Sequence, residues 1–145
     1  MPLPKDECLP VPPRSKGDLA RRLMLKAAGD EAILARLIGD EEIPDDGLGF
    51  HAQQAVEKMV KAVLASHEIP YERTHNIAYL VRLLEEAEIP LPPNAESLPE
   101  LTPWAAEFRY DDLPEAGLDR RGTLSAVRET RVWAEAELMD SEPEP

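Results

Sequence analysis

Cysteine is almost missing from this 145-residue chain, in which Cys8 stands alone. A disulfide-stapled secreted scaffold is thereby excluded, and a reducing, cytoplasmic setting is the expectation. No apolar run approaches the ~20 residues of a membrane-spanning helix, and the N-terminus lacks the basic flank and apolar core of a secretion signal. No membrane partner is expected. Basic residues are scarce too: 16 Lys+Arg face 29 Asp+Glu, a net charge of −13. That balance argues against long nucleic acid as a partner, because bulk binding needs clustered Lys and Arg on the phosphates. Glycine-rich phosphate loops, CxxC or HExxH metal spacings and the G-x-S-x-G nucleophile turn are absent from the sequence. No cofactor or metal is expected.

What the chain has in excess is acid and proline, with 15 prolines against 7 glycines. Spread evenly, those prolines would forbid a helical protein, since each costs a helix interior about 3 kcal/mol. They cluster instead in residues 1–13, at 143–145 and at short intervals between, leaving proline-free windows at 14–43, 45–69, 71–89 and 115–142. The windows have helical periodicity. Ala20, Leu23, Ala27, Leu34, Leu37 and Ile38 share one face, with Gly29 a weak point costing up to ~1 kcal/mol. Residues 48–66 form a second stripe through Ala52, Ala55, Val56, Met59, Val60 and Val63; Ile77, Leu80, Val81, Leu84 and Ala87 form a third. Ser97-Leu98-Pro99-Glu100 has the pattern of a capping box, opening a short fourth helix through Trp104 and Phe108. The last helix, 118–139, has Leu124, Val127, Ala134 and Leu138 in register. The fold class is all-α, an up-and-down bundle of about five helices over residues 17–139, between a proline-rich tail (1–16) and an acidic tail (140–145).

Polar side chains on the helices supply the candidate site. His51, Gln54, Lys58 and Lys61 follow each other at spacings of three, four and three, on a ridge opposite the second stripe. Two lysines and an amide there can hold a phosphate or an acidic partner, or the ridge is a solvated face with Glu57 interleaved. Asp30 and Arg131 fall on apolar stripes, where unpaired burial would be costly, so both need partners. Arg109 is a candidate partner for Asp30. Asp40-Glu41-Glu42 and Asp45-Asp46 read as a solvated acidic loop more than as a metal site. His67, near a helix end, reads as a surface or capping residue.

Phe50-His51-Ala52-Gln53-Gln54-Ala55-Val56-Glu57-Lys58, followed by Lys61-Ala62, resembles the signature of the HEPN family (higher eukaryotes and prokaryotes nucleotide-binding domain). Thr74-His75-Asn76 with Leu80 resembles that family's T-H-[DN]-x-x-x-L, and Arg109-Tyr110 its R-Y, with Asp111 in place of the usual proline. Asp30 resembles an acidic position on the family's first helix, so the likeness covers about residues 18–139. The resemblance implies a four-to-five-helix bundle, commonly a homodimer, often encoded beside a minimal nucleotidyltransferase as a toxin–antitoxin-like pair. Many members are metal-independent ribonucleases that use an Arg followed by a His with four to six residues between them. Here the three histidines, His51, His67 and His75, all precede Arg109, and none has an arginine at that spacing before it. The ribonuclease dyad is absent, which weighs against an enzyme.

Three functions follow. The first is a non-catalytic module that binds a nucleotide or pairs with a nucleotidyltransferase through His51, Gln54, Lys58, Lys61, Arg109 and Tyr110. The second is an acidic, antitoxin-like interaction protein without a small ligand, favoured by the charge of −13. The third, and weakest, is a divergent ribonuclease using His51 or His75.

Overall fold

The computed structural model describes residues 16–105 and 117–141. Four α-helices and one 3-10 helix occur among them: α1 (Lys16–Leu37), α2 (Asp45–Ser66), α3 (Ile77–Glu86), a 3-10 helix (Leu98–Trp104) and α4 (Arg120–Ser141). The all-α bundle expected from the prolines is the fold. No helix among the described residues is long and apolar enough to cross a membrane.

The bundle is organised around α2, which packs against α1, α4, α3 and the 3-10 helix, most extensively against α1. Its alanines (Ala52, Ala55, Ala62 and Ala65) are all buried, and so are Val56, Met59, Val60, Val63 and Leu64. A helix buried around most of its circumference is a core element, not a surface one with a single wet face. This corrects the expectation of a stripe with an open ridge behind it. Small side chains let neighbours approach closely, and at Gly49 the Trp104 indole lies directly on the backbone. Leu34 of α1, Leu80 and Leu84 of α3, Leu98 and Leu101 of the 3-10 helix, and Val127 and Ala134 of α4 complete the core. Each fully buried leucine contributes roughly 1.5–3 kcal/mol relative to exposure.

Helix ends explain the loops. Asn76 caps α3, its side-chain oxygen accepting from the Tyr79 N–H at 3.1 Å. At the other ends, α2 and α3 stop by one shared device: His67-Glu68-Ile69-Pro70 and Ala87-Glu88-Ile89-Pro90. Glu68 and Glu88 take φ of 58° and 57°, while the Ile69 and Ile89 amides reach back to Leu64 O and Leu84 O at 3.0 Å. This is the Schellman closure, normally built on glycine because a β-carbon is strained at positive φ. Glu68→Gly is therefore expected to raise stability by about 0.5–1 kcal/mol, read as a higher urea midpoint with unchanged slope. His67 is the exposed C-cap residue of α2, in line with its reading as a helix-end residue.

Two local expectations need correcting. Ser97 does not close a capping box: it makes no side-chain cap bond, its hydroxyl donates to Asn94 O, and the element it precedes is a seven-residue 3-10 helix ending at Trp104. Phe108 lies outside the described residues. In α4 the buried row is Thr123, Val127, Thr130 and Ala134 with Trp133, while Leu124 and Leu138 are only half-buried. The Thr130 hydroxyl donates to Ala126 O at 2.7 Å, so threonine satisfies its polar group within its own helix and can face the core.

Candidate functional site

The ridge of α2 divides into two clusters, each centred on a carboxylate that lies beneath it. In the first, Asp30 of α1 receives Lys58 Nζ on Oδ2 at 2.5 Å and faces His51 Nδ1 with Oδ1 at 2.9 Å. Asp30 is only 8% exposed. A carboxylate is acceptor-only, so the His51 proton sits on Nδ1, with Nε2 on the far edge of the ring. Phe50 packs edge-on against that ring at 5.2 Å between centroids. The partners of Asp30 are thus His51 and Lys58, both from α2, and not the Arg109 offered by sequence; Arg109 and Tyr110 lie outside the described residues.

Glu57 is the centre of the second cluster, and sequence reading missed it by placing it on a solvated face. It is 4% exposed. Its Oε1 accepts from Gln53 Nε2 at 2.8 Å and meets His75 Nδ1 at 2.6 Å, while Oε2 receives Lys61 Nζ at 3.0 Å. Lys61 also donates to Thr74 O at 2.9 Å, and Gln53 donates to His75 O at 3.2 Å. Gln54 joins through Gln53, donating to its Oε1 at 2.8 Å. These contacts tie the loop after α2 onto the side of α2, so the Thr74-His75-Asn76 segment and the α2 signature form one network. A signal was available: Glu57 stands four residues after Gln53 and four before Lys61, among the apolar Ala55, Val56, Met59 and Val60.

The two clusters have a common layering. In each pair the carboxylate is the more buried partner: Asp30 is 11% exposed against 20% for Lys58 and 26% for His51, and Glu57 6% against 13% for Lys61 and 40% for His75. Carboxylates lie inside; lysine and imidazole donors form the outer layer. Both lysines are paired, so the ridge is neither a solvated face nor a strip of unpartnered positive charge. Among the described residues, every buried side-chain nitrogen and oxygen has a hydrogen-bond partner.

Tyr71 borders the second cluster, with Lys61 Nζ 5.6 Å from its ring centroid. Burial first, and then the negative charge of Glu57, push its hydroxyl above the usual 10.0. The neutral phenol is the form the fold favours. Its contribution to stability is complete below about pH 10 and is lost as pH rises through the raised folded value. Tyr71→Phe should therefore flatten the loss of stability above about pH 10, measured as urea midpoints against pH.

Arg131 finds partners on two sides. Its Nε donates to both oxygens of Glu31, at 3.0 and 3.1 Å, and Nη1 to Glu135 at 3.3 Å. The Glu31 hydrogen bond, and then that of Glu135, hold its guanidinium above the ordinary arginine range. One third of its side chain is exposed, so Arg131 bridges α1 and α4 at the edge of the core instead of lying in it. The acidic loop also does more than meet solvent. Asp45 accepts from the Leu118 N–H at 3.1 Å and from Arg120 Nε at 3.0 Å, and Arg120 reaches Asp40 O and Ile43 O. The start of α4 is thereby clamped to the α1–α2 connection. No group of three or more His, Cys, Asp or Glu able to hold a metal occurs among the described residues.

No curated protein and no solved structure matches the chain. A family model, HEPN domain, matches residues 23–136. That span runs from α1 to α4 and takes in Asp30, both α2 clusters and Arg131: the chain belongs to the HEPN domain family.

Proposed function

We propose that this chain is a non-catalytic HEPN module whose α2 ridge takes an anionic group, either the phosphates of a nucleotide or an acidic surface of a nucleotidyltransferase partner in a toxin–antitoxin-like pair. The observation that carries the reading is the layering of the two clusters. Buried carboxylates fix Lys58, Lys61 and His51 in place, the lysines keep N–H groups beyond those used inside the clusters, and His51 donates outward through Nε2 only when protonated there as well. Donors held in advance lose little rotamer freedom on binding, and charge-assisted contacts to phosphate are the stronger kind. Asp30 and Glu57 offset the lysine charges, so affinity rests on hydrogen bonds more than on net charge.

Calorimetric titration with ATP tests this. Saturable binding with Kd below about 1 mM is expected, weakened at least about fivefold in His51→Ala with Gln54→Ala, which leaves both lysine–carboxylate pairs intact. Heats indistinguishable from dilution, together with failure of a co-expressed nucleotidyltransferase to co-purify, would sink the proposal. Recovery of a protein partner without nucleotide binding favours the antitoxin-like reading, for which the charge of −13 is suited to a basic surface.

A further inference from the structure

The two edges of the His51 ring differ in kind. Nδ1 directs its proton at Asp30 Oδ1, 2.9 Å away, so the neutral imidazole has its lone pair on Nε2. Among the described residues Nε2 has no hydrogen-bond partner. A neutral ring held this way offers an anion a lone pair where a donor would be wanted, and phosphate binding alone does not account for it. Its surroundings are particular too. From residue 51 to residue 66 every residue of α2 is buried except His51, Gln54, Lys58 and Lys61. The ring therefore lies on a narrow open strip of an enclosed helix, its orientation fixed by Asp30 and by the edge-on Phe50. Lys58 bonds the other oxygen of the same carboxylate and keeps its remaining N–H groups.

We propose that His51 is a phosphoryl acceptor, its Nε2 taking a phosphoryl group from a donor with a phosphorus–nitrogen bond, such as a phosphohistidine of another protein. The inference rests on the reading of the ridge as a site for phosphate groups and says what one of them does there. The Nε2 lone pair attacks phosphorus and a new N–P bond forms. The donor's own P–N bond breaks, and its electron pair goes to the departing nitrogen. That group is cationic in the donor and leaves neutral, so no proton has to move. The positive charge passes to the His51 ring, whose Nδ1–H already faces the Asp30 carboxylate. Asp30 is thus a positioning residue: it holds the reactive tautomer and offsets the charge that develops on the ring. The spare N–H groups of Lys58 meet the phosphoryl oxygens. His75 is held by Glu57 in a similar way, but Lys61 beside it is already divided between Glu57 and Thr74 O. His67 is exposed and has no carboxylate partner among the described residues.

Incubation of the full chain with phosphoramidate, followed by intact mass and phosphorus-31 NMR, tests the proposal. An acid-labile, alkali-stable phosphoryl group on His51 Nε2 is expected. It should form at least about tenfold faster than any on His67, although His67 is the more exposed ring. Asp30→Asn should slow labelling of His51 at least about tenfold by releasing the tautomer, with labelling of His67 unchanged. Circular dichroism confirms that the variant is folded; if it is not, the ratio of His51 to His67 labelling in the wild-type chain decides by itself. Label on His51 Nδ1, label on His67 or His75 in preference to His51, or no label at all overturns the proposal. Phosphoramidate contains no nucleoside, so this result and the ATP titration fail independently: nucleotide binding without label sinks only the acceptor, and label without nucleotide binding sinks only the nucleotide site.

Discussion

Lys61→Met is expected to cost about 3 kcal/mol of stability, while Lys61→Met combined with Glu57→Leu costs less than the single change. The reason is the position of Glu57, which is 4% exposed beneath its partners. Removing Lys61 strands a buried carboxylate with only Gln53 and His75 to solvate it. Removing both charges leaves apolar groups of similar volume; Gln53 keeps its bond to His75 O, and half-buried Thr74 and His75 can turn to water, so the residual cost is about 0.5 kcal/mol for each bond lost. Urea unfolding of the two single variants and the double variant gives the coupling directly. If Lys61→Met costs below about 1 kcal/mol, the pair behaves as an exposed ion pair, and the buried clamp described here is wrong.

The second large effect is at Gly49. A β-carbon there would stand 2.4 Å from Trp104 Cδ2 and 2.6 Å from Cε3 and Cγ. These are ring atoms of a buried indole, so relief requires moving the whole side chain against Leu98, Leu101 and α2. Alanine is the better helix former by up to ~1 kcal/mol, but overpacking of this severity costs about 3 kcal/mol, and the steric term wins. Gly47, two residues earlier, has nothing within 4 Å of its β-carbon position. Gly47→Ala should thus be neutral or stabilising, and Gly49→Ala should lower the thermal midpoint by several degrees or more. Equal effects at the two positions would contradict the close approach of Trp104.

Proline position and helical periodicity were enough to read the bundle, because both report local backbone preference. The α2 signature likewise put His51, Gln54, Lys58 and Lys61 on one ridge. What one sequence could not show was which neighbours sit under that ridge. Asp30 is 21 positions from His51 and 28 from Lys58, and only the α1–α2 packing brings them together. Glu57 was misread because a charged residue on a helix is normally wet; burial becomes tolerable only through the loop that delivers His75 and Thr74 O. Thr123 and Thr130 were missed in α4 for a related reason. A hydroxyl can be satisfied inside its own helix, as the Thr130 bond to Ala126 O shows, and hydropathy does not see that bond. Arg109 and Tyr110 fall outside the described residues.

The most direct test of the α2 ridge as an anion site is a nitrogen-15 NMR titration of the full chain with ATP. Saturable shifts are expected at His51, Gln54, Lys58 and Lys61, with smaller ones at Asp30 and His75, and none at the exposed Leu25 of α1. Shifts confined to other helices, or no shift at millimolar ATP, would contradict it.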